Sequence, residues 1–235
     1  MKAMLLRRLG DFDHQPTPLE PVELPDPQPV PGEILVTVSV CGVCHTELDE
    51  IEGRTPPPRL PVVLGHQVVG TVAALGEGAG RFRLGERVGI AWIFSACGVC
   101  SFCRSEQENL CPEFRATGRD APGGYASAVT VPEAFAYPIP SGLVDREVAP
   151  LLCAGAIGYR SLRLSGLRDG QHLGLTGFGA SAHLVLQMVR RRFPSSGVFV
   201  FARSAKERAF ALELGARWAG PSEDTSPTPL HAIID

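Results

Sequence analysis

Apolar residues alternate with less apolar ones at Ile34, Val36, Val38 and Val40, a period of two that predicts a half-buried β-strand. The N-terminal MKAMLLRRLG reads as a first strand, its apolar stretch being too short for a secretion signal. Residues 16–32 carry proline at positions 16, 18, 21, 25, 27, 29 and 31, which confines that stretch to loop or edge structure. Short strands separated by Gly and Pro turns continue to about residue 150 and predict an all-β region. The period then changes. APLLCAGAIG opens an apolar segment expected to begin a helix, and QHLGLTGFGASAHLVLQMVRRRF reads as strand, glycine turn and helix. A second strand, GVFVFAR, is followed by a helix whose start carries the capping box Ser204-Ala205-Lys206-Glu207 and whose end is marked by Gly215. A boundary is therefore expected near 150–160, dividing an all-β domain of residues 1–155 from an α/β domain of residues 156–235.

Chemistry enters with the cysteines. Four of the seven, Cys97, Cys100, Cys103 and Cys111, fall within the fifteen residues CGVCSFCRSEQENLC. Four thiolates at that spacing can surround one tetrahedral Zn²⁺ and leave no open position, which describes a structural zinc. An iron–sulfur cluster is the rival, since Cys111-Pro112 resembles the end of a bacterial ferredoxin run, but the last gap of seven residues exceeds the usual three. A pair of disulfides is the blander alternative, and an odd cysteine total fits it poorly and a reducing cytoplasm better. Cys44, His66 and Cys153 could form a second, open Cys₂His site, although ligands so distant in sequence cannot be paired from spacing alone. Cys41 fits its strand as a small hydrophobe.

The turn Gly177-Phe178-Gly179-Ala180-Ser181-Ala182 has the G-x-G-x-x-A form of a dinucleotide fingerprint between strand and helix. Gly177 would allow the tight turn, Gly179 the close approach of backbone N–H groups to a pyrophosphate, and Ala182 the packing of helix on strand. A glycine-rich packing turn is the alternative. An acidic residue for a ribose 2′-hydroxyl should end the second strand, where Ala202-Arg203-Ser204 stands instead. Arg203, with Lys206 and Arg208 nearby, suits a 2′-phosphate and favours NADP over NAD, unless it is simply a solvated side chain. The arginines at 190–192 read as favourable charge on the last turn of a helix. A formal charge of −3 and pI near 6.1 argue against a nucleic-acid partner, and no apolar run reaches the ~20 residues of a membrane span.

With CGVCHTEL, GHQVVGTVAALGEGAGRFRLGERVGIAW, the four-cysteine run, the PGGYAS turn, APLLCAGAIGYRSL and GFGASAH all in order, the chain closely resembles the zinc-containing alcohol dehydrogenases of the medium-chain dehydrogenase/reductase superfamily. The resemblance implies a GroES-like β-barrel catalytic domain followed by a partial Rossmann domain. It implies two zinc ions: a catalytic one on Cys44, His66 and Cys153, and a structural one on Cys97, Cys100, Cys103 and Cys111. It makes Thr46 the hydroxyl that takes the alcohol proton, His45 a neighbour of the cofactor pyrophosphate, and Trp92 an aromatic wall of the alcohol pocket. The implied activity is cytoplasmic interconversion of a primary alcohol and an aldehyde, by hydride transfer to or from NADP or NAD. Polyols and formaldehyde adducts are less favoured substrates, and the full-length enzyme could be a homo-oligomer.

Three departures stand out. Gln67 replaces the Glu that usually follows the ligand histidine, Asp49 stands where a histidine often ends the proton relay, and the chain stops in the apolar segment ending at Asp235. A dinucleotide fold needs a second half to hold the nicotinamide. On that ground the chain is expected to be part of a longer enzyme, and a non-catalytic zinc-binding form unable to position the nicotinamide is the alternative.

Overall fold

A computed structural model describes residues 1–10, 13–14 and 17–235, so the first proline of the Pro-rich stretch, Pro16, lies outside the described residues. The chain divides into two compact units, Met1–Cys153 and Ala154–Asp235.

In chain order the first unit contains β1 (Lys2–Leu6), β2 (Leu19–Glu23), β3 (Glu33–Cys41), α1 (His45–Ile51), β4 (Val62–Val63), β5 (Val68–Leu75), β6 (Arg87–Ile90) and β7 (Ile93–Ser95). It continues with α2 (Ser101–Arg104), β8 (Arg115–Ala116), β9 (Ala128–Pro132), β10 (Ala136–Pro138) and α3 (Asp145–Val148). Its main sheet is antiparallel in the order β10-β6-β5-β3-β9, with a three-stranded sheet β2-β1-β4 and the pair β7-β8. The Pro-rich stretch yields β2, an edge strand, where Pro21 removes no ladder bond that a central strand would need. Ile34 and Val36 are fully buried and Val38 packs beside them with Val68, Val72, Val88 and Ile90. The alternation does not carry through to Val40: the register shifts between Val38 and Val40, and Val40 packs in a separate cluster with Val69, Val148 and Ala149.

The second unit holds α4 (Ala154–Leu164), β11 (Leu173–Thr176), α5 (Ala180–Arg192), β12 (Val198–Phe201), α6 (Ala205–Glu213), β13 (Trp218–Gly220) and β14 (Ala232–Ile234). Its sheet is parallel, in the order β13-β12-β11-β14. β11 and β12 are nearly continuous apolar runs because a parallel sheet is covered on both faces. Leu173, Leu175, Val198 and Val200 pack there against Val185, Leu186 and Val189 of α5. Ser204 caps α6 by accepting from the Glu207 N–H, and Gly215 takes φ +97° beyond its end, as the sequence pattern predicts. Among the described residues no helix is long and apolar enough to cross a membrane.

Candidate metal centres and nucleotide turn

The four-cysteine lobe runs from β7 through α2 to the turn before β8. The Sγ atoms of Cys97, Cys100, Cys103 and Cys111 lie within 4.8 Å of one another, with Cys100–Cys103 at 3.5 Å and Cys97–Cys103 at 3.9 Å. Backbone N–H groups point at the sulfurs: Cys97 to Cys111 (3.4 Å), Cys100 to Cys97 (3.4 Å), Cys103 to Cys100 (3.5 Å) and Glu113 to Cys111 (3.3 Å). Such donors favour thiolates, and the N–H groups of Val99 and Cys100 lower the Cys97 thiol to about 7. Burial and the neighbouring Cys100 sulfur push Cys103 up to about 12. No disulfide is formed.

The second cluster is assembled from three distant segments. Cys44 is the N-cap of α1: its Sγ accepts from the Thr46 N–H (3.4 Å), while Glu47 Oε2 accepts from the Cys44 N–H (2.8 Å). His66 stands between β4 and β5, after Gly65, whose φ of +99° is accessible mainly to glycine; a Cβ there would meet the Tyr125 ring at 2.6 Å. Cys153 sits at the break between the 3₁₀ turn Ala149–Leu152 and α4, just before the helix that its apolar surroundings predict. Cys44 Sγ is 3.7 Å from His66 Nε2 and 4.0 Å from Cys153 Sγ, and all three ligand atoms lie within 4.8 Å.

Tetrahedral zinc with bonds of about 2.0–2.3 Å sets its ligand atoms roughly 3.5–3.8 Å apart, so both clusters have the dimensions the ion requires. The far side of His66 supports the same reading. Its Nδ1 lies 2.7 Å from Glu47 Oε1, both side chains are buried, and neither atom has another hydrogen-bond partner among the described residues. That carboxylate fixes the ring so that Nε2 faces the sulfurs, the arrangement that orients a metal-ligating histidine.

Charge is shared tightly within this cluster. The Cys153 thiol beside it, followed by His66 and Thr46, outweighs burial and holds Cys44 near 3. The Cys44 thiolate and burial push Cys153 well above the ordinary thiol range. Burial pulls the His66 imidazole down, but its bonds to Cys44 and Glu47 prevail and raise it to about 9. Glu50, one turn beyond Glu47, is fully buried with neither carboxylate oxygen partnered among the described residues; burial first, then Glu47, raises it to about 8.

Other expected positions surround this cluster. Thr46 is the second residue of α1, while the largely exposed His45 has Nε2 3.7 Å from Asp49 Oδ1. Asp49 is paired with Arg54. Trp92 meets the His66 ring edge-on, with centroids 4.9 Å apart. Gln67 is buried and its Nε2 has no partner among the described residues. Cys41 lies outside the cluster; burial raises its thiol to about 12, in keeping with a packing role. Spacing did not single out Glu47 or Glu50, although Glu47 stands three residues after Cys44, where a capping-box acid belongs.

In the second unit the fingerprint forms the predicted strand–turn–helix. Gly177 has φ +74°, Gly179 is the N-cap of α5, and Ala182 packs on the core of the sheet. No side chain caps α5, so its first N–H groups have no side-chain acceptor among the described residues. Arg203 follows β12 and is exposed, with no hydrogen bond or ion pair from its guanidinium among the described residues. Arg208, by contrast, is occupied: its Nη1 donates to the carbonyls of Ala202 and Arg203, each at 2.7 Å.

The first unit is mostly β but not all-β as expected, since the short helices α1, α2 and α3 interrupt it. Bearing a four-thiolate lobe and a Cys₂His cluster and followed by a parallel-sheet unit with a glycine turn, it has the arrangement of a zinc-containing dehydrogenase. Comparison with known proteins places it further. Residues 30–141 match the alcohol dehydrogenase GroES-like domain family. The chain is 48% identical to "Probable alcohol dehydrogenase AdhA" of Mycobacterium tuberculosis (strain CDC 1551 / Oshkosh), over 100% of its own length and 68% of that protein. It is 39% identical to an alcohol dehydrogenase of Geobacillus stearothermophilus, over 92% of its own length and 63% of that protein. In structure it resembles a cinnamyl alcohol dehydrogenase, SbCAD4, from Sorghum bicolor: TM-score 0.83 and 30% identity, covering 95% of this chain and 64% of that one. The chain belongs to the zinc-containing alcohol dehydrogenases of the medium-chain dehydrogenase/reductase superfamily. It spans about two thirds of the length of these relatives.

Proposed function

We propose that this protein is a zinc-dependent alcohol dehydrogenase that interconverts a primary alcohol and its aldehyde with NADP, and less efficiently with NAD, in the cytoplasm. The observation that carries this reading is the His66 geometry: one ring nitrogen faces two cysteine sulfurs while the other is held by buried Glu47.

Cys44, His66 and Cys153 would hold a zinc with a fourth position left for substrate, and Cys97, Cys100, Cys103 and Cys111 a second, closed zinc. Zinc at the open site would act as a Lewis acid on the alcohol oxygen; for bound water such an ion lowers the pKa from about 15.7 to about 7, a difference of roughly 12 kcal/mol. The chain's own groups do the rest. Glu47 keeps the His66 ring in register, Thr46 carries away the hydroxyl proton, and Trp92 limits the size of the alcohol. A bound NADP would supply the hydride acceptor, so that loss of a hydride from the alcohol carbon together with the proton taken up through Thr46 would leave an aldehyde. Gly177 and Gly179 would admit a pyrophosphate to the N-terminus of α5, and Arg203, whose guanidinium has no partner among the described residues, would meet a 2′-phosphate.

Elemental analysis tests the metal assignment: two zinc per chain are expected, falling to one in Cys153→Ala, and one in the unmutated protein overturns it. Alcohol-dependent reduction of NADP⁺ should vanish in His66→Ala. NADPH should bind more tightly than NADH, and Arg203→Ala should remove most of the difference; equal affinities in the unmutated protein defeat the preference for NADP.

A further inference from the structure

The turn between β8 and β9 holds Trp92 from two directions. From the backbone side, the Thr117 N–H donates to the Trp92 carbonyl at 2.9 Å, and the buried Thr117 hydroxyl donates to the Ala91 carbonyl at 2.8 Å. From the side-chain side, the Arg119 guanidinium lies over the indole with Cζ 5.6 Å from its centroid, within the range of a cation–π contact. Arg119 is itself held. Its Nη2 and Nε donate to the two carboxylate oxygens of Asp120 at 2.8 and 3.2 Å, and Asp120 Oδ2 also accepts from the Ala116 N–H at 2.7 Å. A bidentate pair anchored to backbone leaves the guanidinium little rotational freedom.

The same turn rests on the segment that carries His66. A Cβ on Gly118 would approach Gly65 N to 2.7 Å, and one on Gly123 would approach Gly65 O to 2.3 Å. Backbone thus touches backbone on both sides of the turn, and Arg119 and His66 are tied to one rigid piece, with the Trp92 ring set against both. Arg119 also lines a cavity of about 720 Å³ together with Phe114, Asp120, Pro58 and Arg59.

We propose that Arg119 is a specificity-determining positioning residue: clamped by Asp120, it fixes the Trp92 indole against the His66 segment and so sets the size limit for the alcohol. This rests on the reading of Trp92 as a wall of the alcohol pocket. A small residue at 119 opens the indole to the adjoining cavity and frees its tilt, which admits bulkier alcohols at the expense of the orientation of small ones.

Trp92 and Trp218 are the protein's two tryptophans, so Trp218→Phe makes Trp92 the sole indole reporter. In that background the zinc-loaded protein with Arg119→Ala should show acrylamide quenching of Trp92 raised about twofold or more. The ratio of kcat/KM for ethanol over benzyl alcohol should fall on the order of fivefold, mostly through KM for the small alcohol, with zinc content unchanged. Arg119→Lys keeps the charge but loses the fork and should recover only part of either effect, and Asp120→Asn should give a weaker version that does not depend on Arg119→Ala folding. Quenching that is the same in Arg119→Ala, Asp120→Asn and the parent overturns the proposal. Trp92→Ala separates the two readings: an unchanged alcohol preference there defeats the pocket wall and the specificity role with it, while the quenching series still decides whether Arg119 holds the ring.

Discussion

The two candidate metal sites of the first unit are built in opposite ways. The four-cysteine lobe draws all its ligands from positions 97–111, holds its sulfurs with backbone N–H groups, and includes no carboxylate among its candidate ligands. The Cys44/His66/Cys153 cluster takes ligands 22 and 109 positions apart and sets its histidine on a buried acid, with a second buried acid one turn away. A local loop with little core of its own depends on its ion for shape. A site assembled by several strands is shaped by the fold, and its ion is needed for chemistry. Stability should therefore answer to the first site and function to the second.

The sharpest way to break that contrast is to remove one ligand from each. Cys103→Ala should cost several kcal/mol of stability and unfold the lobe, because binding free energy at a structural zinc is folding free energy. Cys153→Ala should remove one zinc and abolish alcohol turnover while the melting temperature moves far less. Thermal unfolding and zinc analysis of the two variants decide it; equal losses of stability would erase the distinction.

A smaller effect is expected at Glu47. Glu47→Gln keeps the side-chain volume and the N-cap contact to Cys44 but weakens the grip on His66 Nδ1. Zinc affinity at the three-ligand cluster should fall about 10- to 100-fold, the usual consequence of losing such an outer partner, and the lobe should be unaffected. Competition with a chelator, which strips the two ions at different rates, reads both sites in one experiment. A uniform weakening would mean that Glu47 acts through the stability of the whole unit.

The same difference in construction explains what could be read from sequence. Four ligands within one loop are visible as spacing, and so is the Gly177–Ala182 turn, whose strand and helix are its immediate neighbours. The pairing of Cys44, His66 and Cys153 is invisible to spacing because β3, α1, β5 and the break before α4 bring them together; residue type offered them as candidates, and only the resemblance paired them. Local periodicity predicted β3, but the register shift that redirects Val40 arises from pairing with β5. Glu47 carried a local signal in its capping-box position. Arg119 carried none, since its contact with Trp92 depends on a turn closing across 27 positions and on Asp120 holding the guanidinium.

The least expected contrast concerns pH. Glu50 is raised to about 8 by burial and by Glu47, whereas its ordinary value in the unfolded chain is 4.5. A folded-state pKa above the unfolded one means that the native protein binds the extra proton, so this contribution to stability is fully present below about pH 4.5 and is lost as pH rises through about 8. Glu50→Gln mimics the protonated form and should leave stability near pH 5 almost unchanged while raising it near pH 8 by on the order of 2 kcal/mol, a figure reduced for solvent screening. Urea unfolding of variant and parent, matched for zinc loading, measures the difference at the two pH values. No gain near pH 8, or a gain of equal size at both pH values, would mean that the buried acids beneath His66 are already compensated in the folded protein.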